Sequence, residues 1–532
     1  MRIRLKTPNT PNTPNTISNT SKMSARRLSP LRMVGVVAVA AGLTSGASVW
    51  TLAAVRNTFT TTATVWYSPY VDVSLTPVMH FEDPQTNPAD DVVLSFVVAD
   101  PNAACAPSWG TFYSLDAAGR ALDLDRRIAR LRERGGDITV SFGGALNQEL
   151  ARTCTDEADL VAAYQSVIDR YQVERLDFDI EGEALSDLDA NRRRGSALAT
   201  LAAANPDLQL WLTVPVSTAG LTQEAVDLVD TTLAAGVKLS GVNVMTMNFG
   251  ASRTEGQTMY EASAVALEAA FQQLSGSYQR AGRPLTPAQL WSHLGATPMI
   301  GQNDLQGEIF TLDDAARLVA FAGQRELGRL SIWSANRDNA CGVHQDSARA
   351  SNTCTGVEQA EAAFGLVFAA ASAPSHLKDV TPPAYDDAAA KSASLDDPAT
   401  SPYPIWRSAK TYLEGDKVVW HGNVYQAKWW AEGALPDAPV TNLWDTPWRY
   451  LGPVLPGDAS PPADAVARVD GQQQRWSADG VYFGGTQVVH QGQIYQAKWW
   501  TQGVAPEQDS DRPFDHPWEY RGAAPPAVAE MS

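Results

Sequence analysis

The chain has 532 residues, more than one ordinary domain holds, and a formal net charge of −18 from 41 lysines and arginines against 59 aspartates and glutamates. That balance argues against nucleic acid as a partner, since affinity for phosphate backbones rests on clustered cations. The four cysteines, Cys105, Cys154, Cys341 and Cys354, form no CxxC pair, so zinc and dithiol redox chemistry lack support and two disulfides are the expectation for an exported chain.

Residues 1–22, with the repeat "TPNTPNTPNT", read as disordered or as lying upstream of a start at Met23. Arg26, Arg27 and Arg32 then precede an apolar run from Met33, and Ser45 and Ala47 stand at cleavage-type positions. This is the pattern of a secretory signal. The alternative is a membrane tether, because apolar character resumes at "SVWTLAAV". Residues 1–56 are therefore set apart, and the rest of the chain is expected outside the cell.

Over 57–372, apolar β-rich runs alternate with helical periodicity. The runs are "ATVWYSPYVDVSL", "VVLSFVVA", "ITVSFGG", "RLDFDIEG", "LQLWLTVPV", "GVNVMTMNFG", "LWSHLGATPMIG" and "LSIWSAN". Stretches such as "DEADLVAAYQSVIDRYQ" and "TLDDAARLVAFAGQRELG" lie between them, the latter opening on a cap at Thr311. Eight strands alternating with helices over roughly 300 residues predict an α/β fold, a (β/α)8 TIM barrel. A doubly wound sheet would want an early glycine-rich phosphate loop, and no GxGxxG occurs.

In the fourth run, side chains alternate between faces, so Asp177, Asp179 and Glu181 share one face and Phe178 and Ile180 the other. Three carboxylates on one face repel in water and are costly to bury. They make sense where a proton must be held and delivered. Taken alone, the DxDxE stretch would also fit a calcium-binding loop or a polar strand end, and Trp333 a core position. His293 and His344 read as structural or surface groups.

Residues 373–402 shift to Pro, Ala, Ser and Asp, a linker. A repeat follows: "YQAKWW" stands at 425–430 and again at 495–500, and the same offset aligns Trp406 with Trp476, Tyr412 with Tyr482 and Trp448 with Trp518. Two small all-β modules are predicted, 403–452 and 473–523, joined by a linker over 453–472. Adjacent strand residues face opposite ways, so one of Trp429-Trp430 should be buried and the other exposed, and likewise Trp499-Trp500. An exposed indole is a stacking platform for a sugar ring. Tyr412, Tyr425, Tyr482 and Tyr495 join the tryptophans in the predicted binding set.

The "AKWW" signature, the upstream Tyr-x-x-Gly and the closing Trp resemble the chitin-binding modules of carbohydrate-binding families 5 and 12. The resemblance implies docking on chitin or a similar polysaccharide. Asp177-Phe178-Asp179-Ile180-Glu181 in turn resembles the DxxDxDxE signature of glycoside hydrolase family 18, the chitinase family. "SFGG" at 141–144 is similar to its SxGG motif, "GATPMIGQND" at 295–304 to its seventh strand and "LSIWSANRDN" at 330–339 to its eighth.

The resemblance implies a retaining, substrate-assisted chitinase. Glu181 would be the general acid/base, Asp179 the group orienting the substrate's acetamide, and Asp177 the group behind it. Trp333, Asn248, Met245, Gln302 and Ser141 would contact substrate, and no metal or other cofactor is required. The sequence departs from the family at Glu174, where the first acid of the signature is Asp, and at Met245-Thr246-Met247-Asn248, where the family usually has Met-x-Tyr-Asp. A chitin-binding lectin that has lost turnover and an endo-β-N-acetylglucosaminidase are the competing expectations. The short 301–329 segment implies an open groove and endo cleavage. The expected disulfides are Cys341–Cys354, which is local, and Cys105–Cys154, by elimination. The molecule is expected to be a monomer with no obligate protein partner.

Overall fold

The structure, a computed structural model, describes residues 65–342, 345–370, 396–397, 401–438, 440 and 443–458, and in the last module 475–477, 481–482, 487–497, 501–502, 504–506 and 517–523. The signal or anchor assigned to 1–56, His344 and the Trp499-Trp500 pair lie outside the described residues.

The strands in chain order are β1 (Trp66–Tyr67), β2 (Tyr70–Asp72), β3 (Val92–Asp100), β4 (Ala103–Trp109), β5 (Tyr113–Ser114), β6 (Ile138–Gly143), β7 (Arg175–Asp179), β8 (Gln209–Ser217), β9 (Gly220–Leu221), β10 (Gly241–Met245), β11 (Leu294–Thr297), β12 (Gly301–Gln302), β13 (Ile309–Phe310) and β14 (Arg329–Leu330). Their order in the main sheet is β1-β14-β11-β10-β8-β7-β6-β3-β4-β5. Every pairing from β1 to β3 is parallel, and helices join most of these strands. The first predicted strand is broken at Ser68-Pro69. Its front half pairs with β14 and its back half, β2, pairs with β3.

Two features were not legible in the sequence pattern. "ACAPSWGTFYS" forms an antiparallel hairpin, β4–β5, on the edge of β3, although it carries both Pro and Gly. The run "LWSHLGATPMIG" begins inside the helix Pro287–Ser292, so strand starts only at Leu294. The helix wins there because Thr286 and Gln289 form a capping box with Pro287 at the first turn.

The outer face of β7 shows what holds the sheet to its helices. Phe178 stacks on Phe142 of β6 at 5.1 Å, and Tyr164 meets both rings edge-on. Tyr164 sits on the helix Glu157–Tyr171, whose buried Leu160, Ala163, Tyr164, Val167, Ile168 and Tyr171 form one helical stripe. Asp156 caps this helix by accepting from the Asp159 N–H. Both expected disulfides are present, Cys105–Cys154 and Cys341–Cys354. The first ties β4 to the end of the helix Leu150–Thr153.

Two small all-β units follow with the same topology. Strands Lys417–Trp420, Asn423–Ala427 and Trp448–Pro453 make one antiparallel sheet, and Gln487–His490, Gln493–Ala497 and Trp518–Ala523 the other. Even the register irregularity recurs, at Val424/Tyr425 and at Ile494/Tyr495. The first core contains Trp406, Tyr412, Tyr425 and Trp448, and the second Tyr482, Tyr495 and Trp518.

Candidate active site

The alternation predicted for "DFDIE" is realised. Leu176 and Phe178 face the helices, while Asp177 and Asp179 face the interior of the sheet. Glu181 lies beyond the last strand residue but keeps extended backbone, φ −142° and ψ 172°, before Gly182 turns the chain into a short helix. The three acids therefore remain on one side, at the C-terminal end of β7.

Asp177 is fully buried and held by four donors. Tyr70 gives its hydroxyl at 2.7 Å, Ser141 at 2.6 Å and Thr213 at 2.7 Å, and Arg329 donates at 2.7 Å. These come from β2, β6, β8 and β14. Asn243 of β10 continues the belt, bonding to Thr213 at 3.0 Å and to Thr297 of β11 at 2.8 Å. Arg329 has Trp66, Tyr70 and Trp211 rings around it at 5.4, 5.4 and 5.5 Å, which suits a desolvated guanidinium. Asp177 is thus a base plate with both carboxyl oxygens held by donors.

Asp179, one step above, differs. It is 5% exposed, and its Oδ1 has no hydrogen-bond partner among the described residues. Burial, then the charges of Glu181 and Asp177, push its carboxyl well above the usual range, against a smaller opposing pull from Arg329. Glu181 is raised to about 7, by burial first and by the Asp304 carboxylate second. Two adjacent carboxyls whose environments favour protonation titrate as a pair and hold a proton at neutral pH.

Asp304 was not singled out from the sequence. Asn248, at φ +51°, grips it in both directions, donating Nδ2 to its carboxylate at 2.8 Å and accepting its backbone N–H at 3.1 Å. The segment is pinned further by Glu308, which accepts from the Phe249 and Gly250 N–H groups. Asn248 therefore supplies the neighbourhood of Glu181 with a carboxylate borrowed from another loop.

The other predicted contacts divide. Trp333, three residues past β14, bridges to Met299, stacks on Phe96 at 5.4 Å and meets Tyr70 edge-on at 5.9 Å, within one ring of the Asp177 cluster. Met245 ends β10, partly exposed. Gln302 lies on the β12–β13 hairpin, its carbonyl taken by Arg337. Ser141 is a correction: it is fully buried and spends its hydroxyl on Asp177, so it positions an acid and cannot touch substrate.

The repeats bring two more corrections. Tyr412, Tyr425, Tyr482 and Tyr495 are buried in the module cores, between 1% and 8% exposed, and are not binding residues. A unit of this size needs them as its interior. Trp429 and Trp430 are both exposed, at 44% and 59%, because the strand ends at Ala427 and the pair sits in a bend where alternation no longer applies.

The profile of carbohydrate-binding module family 5/12 matches residues 475–519. The chain is 35% identical over 283 residues to a protein of Escherichia coli (strain K12) named "Probable bifunctional chitinase/lysozyme". That match covers 51% of this chain and 31% of the relative. It is 35% identical over 284 residues to Endochitinase 11 of Metarhizium anisopliae, covering 51% and 52% of the two chains. The matches thus span about half the length of the second relative and less of the first. Among solved structures, the catalytic domain of a hyperthermophilic chitinase from Pyrococcus furiosus superposes with TM-score 0.50 at 28% identity, over 57% of this chain and 93% of that one. The chain thus joins a chitinase-like α/β region to a C-terminal carbohydrate-binding module.

Proposed function

We propose that this chain is an exported chitinase, a family 18 glycoside hydrolase that cuts β-1,4 bonds between N-acetylglucosamine units within the polymer. The observation that carries the reading is the proton-holding pair of Asp179 and Glu181 above the fully coordinated Asp177. On this reading the segment Trp66–Asp72 closes a (β/α)8 barrel, with β1 and β2 each supplying one seam. Residues 57–372 form the catalytic domain, and the modules at 403–452 and 473–523 both bind chitin. The two disulfides fit an oxidising compartment, and the short segment between β12 and β14 fits an open groove. The enzyme acts as a monomer.

The chemistry follows from the proton. Glu181 donates it to the bridging oxygen, and the bond between that oxygen and the anomeric carbon breaks with its electron pair leaving on the oxygen. The substrate's own acetamide oxygen attacks the same carbon, giving a cyclic oxazolinium, the substrate-assisted variant of glycoside hydrolysis. Asp179 accepts the acetamide N–H and so steers that oxygen. Arg329 and three hydroxyls hold Asp177 in place, and Asp177 helps to raise the Asp179 carboxyl above it. Water, deprotonated by the Glu181 carboxylate, then opens the ring with net retention. Trp333 offers its face to the sugar.

The test measures sugar release and binding to insoluble chitin on wild type and Glu181→Gln. The expected result is loss of release by several orders of magnitude with binding nearly intact. If wild type releases no oligosaccharide from any form of chitin yet binds it, the chain is a lectin on this fold, a reading that the Met247-Asn248 departure favours.

A further inference from the structure

We infer that the first repeat module is a fixed extension of the barrel's binding surface, and that the groove between module and barrel holds a distal stretch of the same polysaccharide chain. The inference rests on the chitin-binding part of the reading above and adds a site to it.

The module is not loosely tethered. Lys417 on its first sheet strand reaches Asp123 at 2.5 Å, and Tyr403 gives Asp123 a second bond at 2.8 Å. Asp123 precedes the helix Leu124–Glu133 and is 2% exposed. Arg126 on that helix bonds the Pro453 carbonyl and Asp458. Tyr450 donates to Glu133 at 3.1 Å while Arg130 lies over its ring. Gly452 sits at φ +143°, where an added Cβ would come within 2.6 Å of the Arg126 carbonyl, so strand and helix backbones are in close approach. Asp123 and Arg126 are themselves buried, so losing the module partner would leave an uncompensated charge there.

Docking in this way creates a groove of about 780 Å³, within the ~300–1,000 Å³ usual for ligand sites. One wall is barrel: Ala335 and Asn336 stand two and three residues past Trp333, and Asn336 is bonded to Asp72 at the end of β2. The other wall is module: Gln426, Glu414 and Trp429. Trp429 is 44% exposed, with the Lys428 ammonium 4.7 Å from its ring centre. Charges of both signs line the groove, Glu361 and Glu414 with Lys428 and Arg449, so a strongly charged ligand of either sign is disfavoured. An indole face with amide and carboxylate partners suits a neutral polymer rich in hydroxyls and acetamides. A rigid second contact adds its affinity without the entropy cost of a flexible tether.

The experiment uses the full chain carrying Glu181→Gln, so that ligand is not consumed, and measures affinity for soluble chitin oligomers of increasing length by calorimetry. The expected result is affinity that keeps rising with length beyond what the barrel alone spans. Trp429→Ala shrinks that gain several-fold. Lys417→Glu, which sets a carboxylate against Asp123 and releases the module, shrinks it comparably, while circular dichroism shows both units folded. If Trp429→Ala weakens retention on insoluble chitin but Lys417→Glu leaves the length dependence intact, the module is an independent anchor and the inference is overturned. A wild type without turnover would sink the catalytic reading and leave this binding test standing.

Discussion

On the proposed mechanism, Glu181 and Asp304 set the working pH between them. Glu181 is raised to about 7 by burial and by Asp304, so the acid form persists to neutrality and fades as pH rises through that value. Asp304→Asn keeps the grip of Asn248 but removes the charge. The folded pKa of Glu181 should then fall, shifting the alkaline limb of kcat/KM toward acid and lowering activity near pH 8 several-fold, with little change near pH 5. A pH–rate profile unmoved by the substitution would remove Asp304 from the mechanism. The same shift has a stability side. A carboxyl whose folded pKa lies above its unfolded value binds more protons when folded, so stability falls as pH rises from its ordinary range through about 7. Glu181→Gln should therefore match wild type near pH 4 and exceed it near pH 8, by up to about 3 kcal/mol, as read by urea unfolding. Little of this was legible in advance. The DxDxE alternation gave the three acids their shared face, but Asp304 is 56 residues from Asn248 and carries no periodic signal. Tyr70, Thr213, Asn243 and Arg329 are likewise single polar residues on apolar strands, brought together only by the pairing of the sheet.

At the level of elements, β7 works because its two faces do different jobs. The face with Phe178 anchors the strand to Phe142 and Tyr164, and that anchoring fixes the height of Asp177 and Asp179 on the other. Phe178→Ala should cost about 3–5 kcal/mol of stability as a buried large-to-small change. It should also lower kcat more than it raises KM, because the acids move while the rest of the groove stays. Equal changes in both would mean that the aromatic stack only stabilises. Strand patterns with clean alternation, such as this one and "ITVSFGG", were readable for this reason. The Trp429-Trp430 pair was not, because alternation was extrapolated past Ala427 into a bend. The module tyrosines were misread because exposure was inferred from residue type, whereas a three-stranded unit must recruit whatever aromatics it has to make a core.

Across the whole molecule, the two repeats share a topology, yet the first is built into the catalytic region. Lys417, Tyr403 and Asp458 reach residues of the helix Leu124–Glu133 and its preceding Asp123, and strand Trp448–Pro453 covers that helix. Cutting the chain at two places separates the consequences. Truncation after Asp458 removes only the second repeat, so retention on insoluble chitin should fall through lost multivalency while melting of the remainder is unchanged. Truncation after residue 400 also uncovers that helix face and strips Asp123 and Arg126 of their partners. The α/β region should then melt a few degrees lower, at ~2–4 °C per kcal/mol for a domain of this class, and hydrolysis of long soluble polymer should weaken more than that of short oligomers. Scanning calorimetry on the two truncations decides the matter, since modules that served only as tethers would leave the transition of the α/β region at the same temperature in both.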